Sequence, residues 1–75
     1  MKIKNIGSNQ IQISVDDGTE VLVSYSTPVA AFVPGQGYVR TEKFWSNTTS
    51  KHINRWIGSY KAKSVPQETL DDLIK

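Results

Sequence analysis

The chain has 75 residues, a formal net charge of +2 and no cysteine, so disulfide staples and thiolate metal sites are excluded. A single domain is expected over 1–75, near the size at which one hydrophobic core gives only a small stability margin. No run approaches a membrane span, and Met1-Lys2-Ile3-Lys4-Asn5 lacks the apolar segment of a signal peptide, so a cytoplasmic protein is expected.

Strands are predicted over 2–44. Ile3 and Ile6 mark a short first strand, and Gly7-Ser8-Asn9 supplies turn chemistry. From residue 10 to 15 the chain alternates, with Ile11, Ile13 and Val15 on one face. Residues 19–25 put Val21, Val23 and Tyr25 on one face. A two-residue Asp17-Gly18 turn would scatter these apolar faces. A three-residue loop, Asp16-Asp17-Gly18, sets Ile13 opposite Val21 and Ile11 opposite Val23, so that register is predicted, with Gly18 in the left-handed position. Thr27-Pro28 is expected to end the third strand, because proline cannot donate to a central ladder. Residues 29–33 form a small-residue strand, and Gly35 is placed first in a type II′ turn, which pairs Phe32 with Val39 of the next strand.

A helix is predicted over 47–58. Thr49, Ile53, Trp56 and Ile57 make one apolar stripe, Lys51 and Arg55 lie together on the other side, and Gly58 stands just past the end. The hydroxyls from Ser46 to Ser50 must cap this helix, and free N–H groups at its start also suit a phosphate. Residues 59–63 read as a polar, basic connection. A second helix is predicted over 64–75, with Ser64 and Gln67 in capping-box form, Pro66 in the first turn, and a stripe of Leu70, Leu73 and Ile74. It is expected to pack at one edge or to extend to a partner.

Charge is uneven. Residues 40–63 hold Arg40, Lys43, Lys51, Arg55, Lys61 and Lys63 against Glu42 alone, and the end of the chain is acidic. His52 has no companion ligands for zinc, so neither a metal nor a cofactor is expected, and its place four residues before Trp56 reads as packing at the rim of the core. Ser50 stands at a poor helical angle to His52 for a nucleophile and base, so no enzyme is expected. Trp56 and Phe32 are expected inside, and Trp45, Tyr38 and Tyr60 exposed, where they offer stacking surfaces to unpaired bases.

The segments Ser24-Tyr25-Ser26-Thr27-Pro28-Val29-Ala30-Ala31, Gly37-Tyr38-Val39-Arg40-Thr41 and Ser46-Asn47-Thr48-Thr49-Ser50-Lys51-His52-Ile53-Asn54-Arg55-Trp56 carry a resemblance. Over roughly residues 2–58 the chain resembles a family of small uncharacterised domains of bacteriophage and bacterial genomes. The resemblance implies a compact accessory protein of phage type, working in a bacterial cytoplasm, and no particular activity.

The expected fold is α+β: a twisted antiparallel meander or SH3-like barrel of about five strands, covered by one helix, with a C-terminal helix added. The function expected is weak, sequence-blind nucleic-acid binding through Arg40, Lys43, Lys51 and Arg55. The alternative is a protein-interaction module that binds and inhibits a host protein, as a monomer or a homodimer.

Overall fold

The computed structural model describes residues 1–15 and 17–74. Its strands are β1 (Lys2–Gly7), β2 (Gln10–Ser14), β3 (Glu20–Ser24), β4 (Thr27–Val33), β5 (Gly37–Thr41) and β6 (Ala62–Val65). Its helices are α1 (Asn47–Ile57) and α2 (Gln67–Leu73), and together they make an α+β fold. The six strands lie in chain order in one open sheet, with β1 and β6 at its edges. The first five form the expected antiparallel meander. β6 adds a strand that the sequence reading took for a connection, and it runs parallel to β5, with α1 as the crossover.

The β2–β3 hairpin has the expected register, Ile13 facing Val21 and Ile11 facing Val23. The Val15 N–H donates to the Thr19 carbonyl at 2.8 Å, and Gly18 has φ +92°. That angle suits glycine, and a Cβ there would stand 3.2 Å from Pro34 Cγ. Asp16, the first residue of the expected loop, lies outside the described residues, as does Lys75.

Two turns differ from expectation. β3 ends at Ser24, so Tyr25 leaves the strand face and enters a two-residue turn with φ +59°. Pro28 then lies within β4 instead of ending a strand. Leu22 pairs with Ala30 but Val23 with Pro28, so Val29 is the extra residue of a bulge, a position where proline's missing N–H is tolerated. In the next turn Gln36 N–H donates to the Val33 carbonyl at 2.9 Å, with Pro34 and Gly35 (φ +85°) between them. Proline second and a positive-φ glycine third is the pattern of a type II turn, not of a II′ turn led by Gly35. Phe32 therefore pairs with Tyr38 and not with Val39.

Burial along β3 shows why the sheet needs two covers. Val21 and Val23 turn to one face and Leu22 to the other, and all three are buried. The first face packs Ile13, Val21, Val23, Ala31 and Val39 under Leu70 of α2. The second packs Leu22, Val29 and Ala30 under Ile53 and Ile57 of α1. α2 thus covers the face of the sheet opposite α1 and is neither an edge addition nor a free arm. Its start is also different: Ser64 belongs to β6, and Pro66 stands at the N-cap with no side-chain cap bond.

α1 begins and ends as its sequence dictates. The Ser46 hydroxyl accepts the Thr49 N–H at 3.1 Å, and the Gly58 N–H donates to the Asn54 carbonyl at 2.9 Å. Thr49, Ile53 and Ile57 are buried, whereas Trp56 and Phe32 are half-buried and not fully inside. His52 is buried beyond the rim position expected of it.

Candidate functional site

Residues opposite one another in neighbouring strands share a face, so register assigns each strand side chain to the α1 layer or the α2 layer. The Trp56 indole N–H donates to Gln12 Oε1 at 2.9 Å, which puts Gln12 on the α1 side. Lys4 pairs with Gln12, and Lys2 pairs with Ser14, itself opposite Glu20. Glu20 receives the Gln12 amide at 2.6 Å, so this set shares the α1 side. Arg40, opposite Ala30 of the α1-side core, donates to Asn54 Oδ1 at 3.1 Å. Lys51 and Arg55 are exposed on α1, which contains no acidic residue.

The α1 layer therefore presents Lys2, Lys4, Arg40, Lys51 and Arg55, with Glu20 as the carboxylate among its strand residues. The other layer presents Glu68, Asp71 and Asp72 on α2, with Lys63 of β6. Charge is separated across the thickness of the molecule. The sequence reading named Arg40, Lys51 and Arg55 but missed Lys2 and Lys4, whose face follows only from the pairing of β1. Lys43 lies beyond the end of β5, with its Nζ 4.1 Å from the centre of the Trp45 ring, a cation–π contact. The four expected residues are not gathered in one groove. Lys51 and Arg55 line one flank of α1 beside Ser8 and Gln10, while Arg40 and Lys43 line the other beside Trp45 and Ser50.

A second polar cluster runs under the start of α1. Ser24 Oγ lies 2.8 Å from His52 Nδ1 and 3.2 Å from Thr49 Oγ1, which in turn receives the Ser46 hydroxyl at 3.2 Å. The pair of Ser24 and His52 is 28 residues apart in sequence, so local spacing could not show it. Ser24 is only 2% exposed, and its hydroxyl ties β3 to the helix.

Beyond the C-terminal half of α1 lies a depression of about 420 Å³, lined by Gln12, Glu20, Phe32, Tyr38 and Trp56. Its rings are held by one another. Tyr38 meets Phe32 and Trp56 edge-on, with centroids 5.1 and 5.7 Å apart, and Tyr60 stacks on Tyr38 at 5.2 Å.

Among the described residues no group of histidines and carboxylates is arranged to hold a metal ion. Nor, among the same residues, is any helix long and apolar enough to cross a membrane.

These features define a small three-layer α+β protein, an open sheet between a cationic helix and an acidic one. The chain belongs to a family of unknown function (DUF8033), whose model matches residues 1–72. No curated protein and no solved structure matches it.

Proposed function

We propose that the protein is a non-enzymatic nucleic-acid-binding module that contacts phosphates through its α1 layer. The observation that carries this reading is the separation of charge, with Lys2, Lys4, Arg40, Lys51 and Arg55 on the α1 side and the acids of α2 on the other. Five cations cannot be there to neutralise one carboxylate. On one face they raise the local concentration of a polyanion, and contacts of this kind fix position without reading sequence. The setting is that of a small accessory protein of phage or bacterial origin, acting in the cytoplasm.

Binding of labelled single- and double-stranded oligomers to the pure protein at two salt concentrations tests the reading. Three to five phosphate contacts give a log–log salt slope of about −2 to −4. Absence of binding even at low salt overturns it.

A protein partner is the second reading, and the edge strand β1 favours it. Its outer backbone groups face no further strand, and Ile3 is 67% exposed beside the exposed Met1. Such an edge can accept a strand from a host protein or from a second copy of the chain, although Lys2 and Lys4 stand where edge strands carry charges that discourage it.

A further inference from the structure

Glu20 is the feature of the α1 layer that phosphate binding alone leaves unexplained. Its carboxylate is half-buried and takes one hydrogen bond, from the Gln12 amide at 2.6 Å. Lys2 and Lys4 rise from β1 on the same side, and the carboxylate stands among the cations of this face. A carboxylate on a phosphate-binding face repels the ligand unless the ligand brings N–H donors to it.

Around that carboxylate the molecule has built a fixed recess. The Trp56 indole N–H holds Gln12 Oε1, and the same amide's nitrogen holds Glu20 Oε2, so one chain of bonds orients ring, amide and carboxylate together. Phe32 and Tyr38 supply the remaining apolar wall, and Tyr60, 67% exposed, extends the row of rings toward solvent. An alkylammonium ion would suit the rings and the carboxylate, but the surrounding cations oppose it. A flat heterocycle that carries phosphate outside and donors inside suits both.

We infer that this recess takes one unpaired nucleobase, with guanine preferred; the inference rests on the nucleic-acid reading of the α1 layer. The base stacks against the rings, as bases do on aromatic side chains of single-strand binders. Its Watson–Crick edge turns to Glu20. Guanine offers two adjacent donors there, N1–H and the N2 amino group, which match the two oxygens of a carboxylate. Adenine and cytosine offer one donor beside an acceptor. Thymine and uracil flank their single donor with two carbonyls, which the carboxylate repels. The recess volume, about 420 Å³, lies in the range of small-ligand sites.

The test compares an all-thymidine single-stranded hexamer with the same hexamer carrying one central guanine, by fluorescence anisotropy and by ¹H–¹⁵N correlation spectra. The guanine-containing oligomer should bind roughly tenfold more tightly, the scale of one bidentate base contact. It alone should shift the Trp56 indole and Gln12 side-chain amide signals. Glu20→Gln, which keeps the side chain's size, should abolish the preference by weakening the guanine oligomer relative to the thymidine one. Because it removes a carboxylate from the phosphate-binding face, it should bind the thymidine oligomer at least as tightly as wild type does. Equal binding of both oligomers by wild type, with no shift at Trp56, overturns the base pocket while the phosphate reading stands. Failure of every oligomer to bind at low salt overturns both.

Discussion

The side-chain amide of Gln67 donates to the main-chain carbonyl of Pro28 at 2.6 Å. Pro28 sits at the bulge between β3 and β4, and its carbonyl is held from α2. The same Gln67 donates to Asp71 and accepts from the Thr41 hydroxyl and the Trp45 indole, at 3.0, 2.8 and 3.0 Å. One amide thus joins two strands, the segment before α1, and α2. Gln67→Ala should destabilise the domain by about 2–3 kcal/mol, because several half-buried groups lose their partner at once. Gln67→Glu should do at least as much at neutral pH, since it sets a carboxylate against the Pro28 carbonyl and Asp71. Chemical denaturation of the two variants checks this, and a near-neutral Gln67→Glu would show that the amide's donor bonds carry no weight.

The hairpin prediction turns on space as well as on φ. Gly18 and Gly37 both have positive φ, +92° and +89°, but only Gly18 has a neighbour, Pro34, against which a side chain would press. Gly18→Val should cost more than about 1 kcal/mol, the scale of a strained non-glycine residue, plus the clash. Gly37→Ala should cost about 1 kcal/mol and no more. Equal losses in denaturant midpoint would remove Pro34 from the account.

Acid should weaken the same turn. Asp17 accepts the Thr19 N–H at 2.9 Å, and hydrogen bonds from Thr19 hold its carboxyl below the usual value of 3.8. A carboxyl with a lowered pKa in the folded state adds stability above its unfolded pKa, and that stability is lost as pH falls through the folded value. Asp17→Asn keeps an oxygen acceptor but cannot titrate. Its stability relative to wild type should therefore be lower at neutral pH, and the two should converge as acid protonates the wild-type carboxyl below the usual carboxylate range. Urea midpoints across that range check the sign, and divergence toward low pH would reverse it.

Much of the architecture is written locally. The β2–β3 register follows from a glycine-ended loop between alternating valines and isoleucines, and α1 follows from Ser46, its apolar stripe and Gly58. The parts that were not legible depend on distant partners. Ala62-Lys63-Ser64-Val65 has too few apolar residues to announce a strand and becomes one by lying along β5. Ser64 and Gln67 fit a capping box, but the amide of Gln67 satisfies Pro28, 39 residues away. The Tyr25 turn carries no glycine to mark its positive φ. Leu22 lies off the Val21 and Val23 face that the alternation marks, and it is fully buried under α1 because the sheet is covered on both sides. Arg40, Lys51 and Arg55 were visible as charge, whereas Lys2, Lys4 and the Gln12–Glu20 pair enter the site only through strand pairing.

The cations of the α1 layer divide into those that hold structure and those that do not, and this separates binding from stability. Arg40 is tied to Asn54, so its loss removes a hydrogen bond as well as a charge. Lys51 and Arg55 are exposed and lie off the buried stripe of Thr49, Ile53 and Ile57. The double change Lys51→Gln, Arg55→Gln should leave the denaturation midpoint within about 0.5 kcal/mol of wild type, as surface substitutions do. Each phosphate contact on a single strand contributes about 0.7 to the salt slope, so losing two should flatten it by about 1.4 units. The pair Glu68→Gln, Asp71→Gln on the opposite layer removes two acids, so a purely net-charge effect would strengthen binding about as much as the cation change weakens it. A contact effect leaves the slope of that acidic-layer variant at the wild-type value. If the slope tracks net charge in both variants, the α1 layer is not the surface that meets the phosphates.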